Sequence, residues 1–164
     1  MSRKYFGTDG IRGVAGQHPM TAEFAYKVGV GATEALKASS VQKPIFAIGT
    51  DTRRSGQMLA QALSAGMMAR GATVTFLGII PTPGVSYLTR TLNADAGVVI
   101  SASHNPYEDN GIKFFNSKGE KLSDEVEKTI EEWLEHPHEF PPVTGKDIGN
   151  SHRYRRGPPF LLAY

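Results

Sequence analysis

The chain has 164 residues, 40% hydrophobic and 21% charged, with a formal net charge of +2, the values of an ordinary globular domain with a core of its own. Cysteine is absent from it, which excludes disulfides, thiolate metal sites and cysteine nucleophiles. No apolar stretch reaches the length of a membrane span and the start, Met1-Ser2-Arg3-Lys4-Tyr5-Phe6-Gly7, lacks a signal-peptide core, so a cytoplasmic protein with no membrane partner is expected.

Residues 1–20 are glycine-rich and aperiodic and read as an extended arm with loops. Thr21 is placed to cap a helix over 22–38, whose Phe24, Ala25, Val28, Ala32, Ala35 and Leu36 fall on one face. Gly29 and Gly31 either weaken that helix or let it approach a neighbour closely. A strand over 45–48, a polar loop over 49–56 and a helix over 57–70 follow. That helix turns Met58, Leu59, Ala62, Leu63, Gly66 and Met67 inward and stops at Gly71. Residues 73–77 read as a strand. Pro81-Thr82-Pro83 starts a short helix, with Thr82 as cap and Pro83 at the first helical position.

Residues 97–100 are the apolar run of a buried strand, and Asn105-Pro106 forbids its continuation. Asn110-Gly111 reads as a tight turn and 112–115 as a strand coming back. A last helix over 124–135 has Ser123 as cap and acids in its first turn. Strands alternating with helices imply right-handed crossovers and parallel pairing. The last two strands, with no helix between them, pair antiparallel.

The expected fold is therefore α/β: a three-layer α/β/α arrangement with a mixed four-stranded sheet, its last strand antiparallel. One domain is expected over 1–140, with 141–164 a linker or non-native tail. Residues 137–164 hold five of the ten prolines and read as unpacked. Lys146, Arg153, Arg155 and Arg156 against Asp147 give 141–164 a charge of +3, which leaves −1 for the body. Four cations in a tail do not make a nucleic-acid surface, and no nucleic-acid partner is expected.

Three polar loops, 49–56, 78–83 and 101–110, follow the three parallel strands and converge on one sheet edge, where α/β proteins place their ligands. Two of them precede helices, an arrangement that suits an anion. Asp51 and Arg53 either belong to that site or simply pair with each other. Ser103 has three readings. It is a turn serine; a hydrolase nucleophile, against which stand the missing G-x-S-x-G elbow and the divergence of its neighbour His104; or a phosphoryl carrier. The third is adopted. A carrier needs exposure, nearby cations and a metal, and Arg12 and Lys113 are the candidate cations. In Thr8-Asp9-Gly10-Ile11-Arg12-Gly13 the glycines permit close approach to a ligand or a loop. His136 and His138, in a His-Pro-His triplet, are set aside as metal ligands.

The segments Lys4-Tyr5-Phe6-Gly7-Thr8-Asp9-Gly10-Ile11-Arg12-Gly13, Gly49-Thr50-Asp51-Thr52-Arg53, Pro81-Thr82-Pro83, and Ser101-Ala102-Ser103-His104-Asn105-Pro106 followed by Asn110-Gly111-Ile112-Lys113-Phe114 together resemble the α-D-phosphohexomutase family. The resemblance covers roughly residues 3–135. It implies an isomerase that moves phosphate between the 6- and 1-positions of a hexose through a phosphoserine, which falls on Ser103. By the same resemblance Ser103, Lys113, Arg12 and His104 are catalytic, and Thr8, Asp9 and Asn105 contact substrate. Mg2+ binds the Ser103 phosphate, and a hexosamine 1,6-bisphosphate is the intermediate.

Within the family the match leans to the branch acting on glucosamine 6-phosphate, with mannose and glucose phosphates as alternatives. Family members have four domains, and the Asp-Gly-Asp-Gly-Asp magnesium loop of the second is absent here, as are the sugar loop and the second phosphate grip. From about Ser151 the chain leaves the family pattern. Expected partners are thus a small phosphosugar and the missing domains, with self-association through any apolar face they leave open. Weak metal binding and negligible turnover are expected of these residues alone. The competing reading is a non-catalytic remnant that binds anions or partner chains.

Overall fold

A computed structural model describes residues 3–155. In chain order these form β1 (Ile11–Val14), α1 (Ala22–Ala38), β2 (Ile45–Thr50), α2 (Gly56–Ala69), β3 (Thr73–Ile79), α3 (Thr82–Thr91), β4 (Ala96–Ile100), β5 (Asp109–Asn116), α4 (Asp124–Glu135), a 3-10 turn (Gly145–Asp147) and β6 (Ser151–Arg153). Among the described residues the sheet has six strands in the order β1-β5-β4-β2-β3-β6, two more than expected. The pairs β4-β2, β2-β3 and β3-β6 are parallel, while β5 runs antiparallel to both β4 and β1. The mixed sheet and the antiparallel β4–β5 pair agree with expectation.

Both extra strands lie at the edges, where backbone pairing needs no apolar alternation. β1 falls in the glycine-rich arm that reads as loop, yet it pairs Ile11 with Ile112 and buries Ile11 fully. β6 consists of Ser151, His152 and Arg153, all exposed, and is held by its ladder to β3. The segment after α4 is therefore not unpacked. Arg70 donates to the Pro141 carbonyl, Phe140 stacks on Trp133, and Gly149 N–H reaches the Met68 carbonyl. Of the tail cations only Arg156 lies outside the described residues.

The main core lies on one sheet face, under α1, α2 and α4, and unites Ile11, Val28, Phe46, Leu63, Val98, Ile112 and Ile130. A smaller cluster of Val85, Val99 and Phe115 lies under α3 on the other. Thr21 and Ser123 cap α1 and α4 as expected, each accepting a hydrogen bond from a backbone N–H three residues on. α3 begins one residue early: Pro81 is its cap residue and Thr82 already helical. Met58, expected inside, is 42% exposed. Gly29 is a contact glycine: a Cβ there would strike the Leu63 carbonyl, and one on Gly66 would strike that of Tyr26. The two glycines let α1 and α2 pack backbone to backbone.

Asn110-Gly111 is not a turn. Both residues are in β5, opposite Gly13 and Arg12. Asn110 is fully buried, its amide donating to Ser55 Oγ at 2.8 Å while its own carbonyl oxygen accepts from Gly111 N–H. The reversal is made earlier, by residues 101–108, so the loop after β4 is the whole turn between the two strands.

Candidate functional site

The carboxyl ends of β2, β3 and β4 meet as expected. The loops that follow them line one cleft of about 600 Å³, with Asp51 and Arg53 from the first, Pro81 and Thr82 from the second, and Ser103 and His104 from the third among its walls. Ser103 is exposed at its mouth. It has φ of 52°, in the left-handed region that costs a non-glycine residue roughly 1–2 kcal/mol, so the surrounding loop must hold it there.

Arg12 reaches this residue. Its Nη2 donates to Ser103 Oγ at 3.2 Å and its Nη1 to Asn105 Oδ1 at 3.5 Å. The side chain crosses Gly111, where a Cβ would meet both Arg12 Cγ and the Ser101 carbonyl. Arg12 Nε is buried and has no partner among the described residues, so the guanidinium spends its two free ends on the Ser103 loop. Asn105 passes the contact on, donating from Nδ2 to Asp109 Oδ2 at 3.1 Å.

Lys113 sits on β5 opposite Val99 of β4, on the α3 face that also carries Phe115. Its Nζ lies over the Phe115 ring, 5.8 Å from the centroid, and among the described residues it has no hydrogen bond to Ser103. His104 lines the cleft and is exposed. Thr8 and Asp9 are exposed at the tip of a tight turn closed by the Gly7–Gly10 backbone pair. Neither is hydrogen-bonded to Ser103 or Arg12 among the described residues. The structure thus gathers Arg12, Ser103, His104 and Asn105, sets Lys113 one strand away, and leaves Thr8 and Asp9 on a neighbouring turn.

Asp51 and Arg53 do pair, at 3.0 Å, and also join the site. Arg53 Nη1 donates to the carbonyls of Pro106 at 2.6 Å and Asp109 at 3.1 Å, and Nη2 to those of Ser103 at 2.9 Å and Asn105 at 3.1 Å. Ser101, which sequence reasoning passed over, donates from Oγ to Asp51 Oδ2 at 2.7 Å and accepts from Ser103 N–H at 3.1 Å. The only sequence signal for it was its place two residues before Ser103. Tyr107, also missed, accepts from Arg54 N–H at 3.0 Å through its hydroxyl.

A model of the phosphoglucomutase/phosphomannomutase α/β/α domain I matches residues 3–139. The chain belongs to this family. It is 55% identical over 152 residues to a phosphoglucosamine mutase of Deinococcus deserti, covering 93% of this chain and 34% of that protein. It is 51% identical over 162 residues to the phosphoglucosamine mutase of Deinococcus radiodurans, covering 99% of this chain and 36% of that protein. The second alignment takes in residues after Ser151, which the sequence reading had set outside the family pattern. A solved phosphoglucomutase/phosphomannomutase family protein from Burkholderia thailandensis superposes with a TM-score of 0.72 at 26% identity, over 94% of this chain and 33% of that one. The chain spans about a third of the length of the curated relatives it matches.

Family membership implies magnesium, and the described residues do not complete a site for it. Mg2+ takes about six oxygen ligands, whereas no group of three or more His, Asp or Glu side chains converges among the described residues. Asp51 is engaged by Arg53 and Ser101, and Asp109 by Asn105. No helix among the described residues is long and apolar enough to cross a membrane.

Proposed function

We propose that this chain is the phosphoserine domain of a sugar-phosphate mutase acting on glucosamine 6-phosphate and glucosamine 1-phosphate, with Ser103 as the carrier. The observation that carries the reading is the exposed Ser103 hydroxyl at the mouth of the cleft, with the Arg12 guanidinium donating to it. The relatives named phosphoglucosamine mutase support the choice of sugar.

The chemistry follows from the charges. A phosphate on Ser103 brings close to two negative charges, and Arg12 is already within reach of that oxygen. In the forward step the Oγ–P bond breaks as a hydroxyl oxygen of the sugar phosphate attacks in line. The hydroxyl proton passes to a base, for which Lys113 on the adjoining strand, as its neutral amine, is the candidate, and that proton is then available to the departing Ser103 oxygen, which leaves as a hydroxyl. The product of that step is a hexosamine 1,6-bisphosphate. After it turns around in the cleft, its other phosphoryl group returns to Ser103 and the isomeric monophosphate leaves. Asn105, Thr8 and Asp9 are the candidates for holding the sugar, and His104, exposed in the same cleft, is a further catalytic candidate. Without a complete magnesium set these residues alone turn over negligible substrate, and phosphate occupancy is the direct readout.

Intact-mass spectrometry with peptide mapping tests the reading. One phosphoryl group on Ser103, acquired from the sugar bisphosphate in the presence of the remaining family domains and absent in Ser103→Ala, is the expected result. Undiminished turnover of Ser103→Ala alongside the remaining family domains overturns it.

A further inference from the structure

We infer that Arg53 is a positioning residue, which with Asp51 holds the backbone of Ser103 from both sides and so aims its hydroxyl at Arg12 and the cleft. The inference rests on the reading of Ser103 as carrier only for its purpose; the hold itself is a property of the loop.

A guanidinium has five N–H donors in a rigid plane. Every one is matched here: Nε to Asp51 Oδ2, Nη1 to the carbonyls of Pro106 and Asp109, and Nη2 to those of Ser103 and Asn105. Arg53 lines the cleft and is the obvious second cation for a phosphate, yet it has no donor left to offer one. Its side chain is 8% exposed. Its charge therefore serves the loop.

The same pair also reaches the other side of Ser103. Asp51 Oδ1 accepts from Arg53 N–H, and Oδ2 accepts from both Arg53 Nε and Ser101 Oγ. Ser101 Oγ in turn accepts from Ser103 N–H. The amide of Ser103 is thus tied to Asp51 through one hydroxyl, and its carbonyl directly to Arg53. Between these two ties lies the left-handed φ of 52°, a conformation that persists only where its surroundings impose it. Lysine has the charge but only three donors and no plane, so it cannot gather four carbonyls around one point.

NMR of the 164-residue chain tests this without phosphoryl transfer. In Arg53→Lys and Arg53→Met the φ-dependent HN–Hα coupling of Ser103 departs from its original value. The amides of Asn105 and Asp109, bonded to the Ala102 and Pro106 carbonyls, exchange at least about tenfold faster, while those of Val98 and Phe114 do not change. In the unsubstituted chain the Arg53 Nη protons give separate, slowly rotating signals. With the remaining family domains present, both variants lose kcat and keep KM within about twofold, and lysine does not rescue. Unchanged coupling and exchange in both variants overturn the inference. So do merged, freely rotating Nη signals in the original chain, which decide the matter even if neither variant folds. A loop that loosens while Ser103 never takes up phosphate removes the carrier reading and leaves the hold standing.

Discussion

The Arg12 guanidinium donates to the Ser103 hydroxyl across 3.2 Å although 91 residues separate the two in the chain. The contact exists because β1 pairs with β5, which sets Arg12 opposite Gly111, and because the 101–108 loop folds back over the same edge. A cation held at this oxygen before any phosphate arrives is preorganised for the charge that a phosphoserine brings.

Arg12→Met is therefore expected to lower turnover by about 10²–10³ in the presence of the remaining family domains. In the chain alone, the second ionisation of a Ser103 phosphate is expected to move to higher pH, because a nearby cation favours the dianion. A 31P titration of the phosphorylated chain reads the shift. An unmoved midpoint would show that Arg12 does not face the phosphate.

Glu131 is a structural counterpart to this contact. It is 7% exposed, and its carboxylate accepts from the backbone N–H groups of Lys4, Tyr5 and Phe6 at 2.6–2.7 Å. Those three bonds fasten the arm that leads into β1. Glu131→Gln replaces one acceptor oxygen with a donor facing donors. Urea unfolding is expected to show a loss of about 2–3 kcal/mol. A loss below about 0.5 kcal/mol would mean the arm is held by other contacts.

Gly66→Ala is expected to destabilise the chain by at least about 2 kcal/mol. Alanine is the better helix former by about 1 kcal/mol, but the added carbon would strike the Tyr26 carbonyl, and neither helix backbone can yield. Gln61→Ala, on the exposed side of α2, serves as the control and should stay within about 0.5 kcal/mol. A stabilised Gly66→Ala would refute the backbone contact between α1 and α2.

The arm and α4 are also joined by ion pairs with a defined pH window. Lys121, Arg3 and Lys128 hold the Asp124 carboxyl below its ordinary value, the bond from Lys121 contributing most. Lys4 is the main cause of the same lowering at Glu135. A depressed carboxylate contributes stability above its unfolded value and loses it as pH falls through the folded one. Attachment of the arm should therefore weaken below about pH 4. The Lys4 ammonium is raised, chiefly by its bond to Glu135, so its contribution fails only in strong alkali. Carboxyl 13C titration of Asp124 and Glu135 checks the sign, and midpoints above the ordinary carboxylate values would contradict it.

Much of this protein was legible in the chain. The capped helices α1 and α4, the apolar strand ending at Ser101-Ala102-Ser103, and the convergence of three loops follow from local chemistry: capping residues, 3.6-residue periodicity and the carboxyl-end rule of parallel sheets. The family was legible too, in the spacing of its motifs. What escaped was decided by contacts between distant residues. The Ile11–Val14 edge strand has no period of its own, and only β5 beside it makes it a strand. Asn110-Gly111 carries a strong turn signature, and the Asn110 bond to Ser55 overrides it. For Arg53 the sequence leaves two readings open, a member of the site or half of an ion pair with Asp51. Only the folded chain brings four carbonyl oxygens around its guanidinium, because a hydrogen-bond acceptor on the backbone leaves no mark in the identity of the residue that carries it.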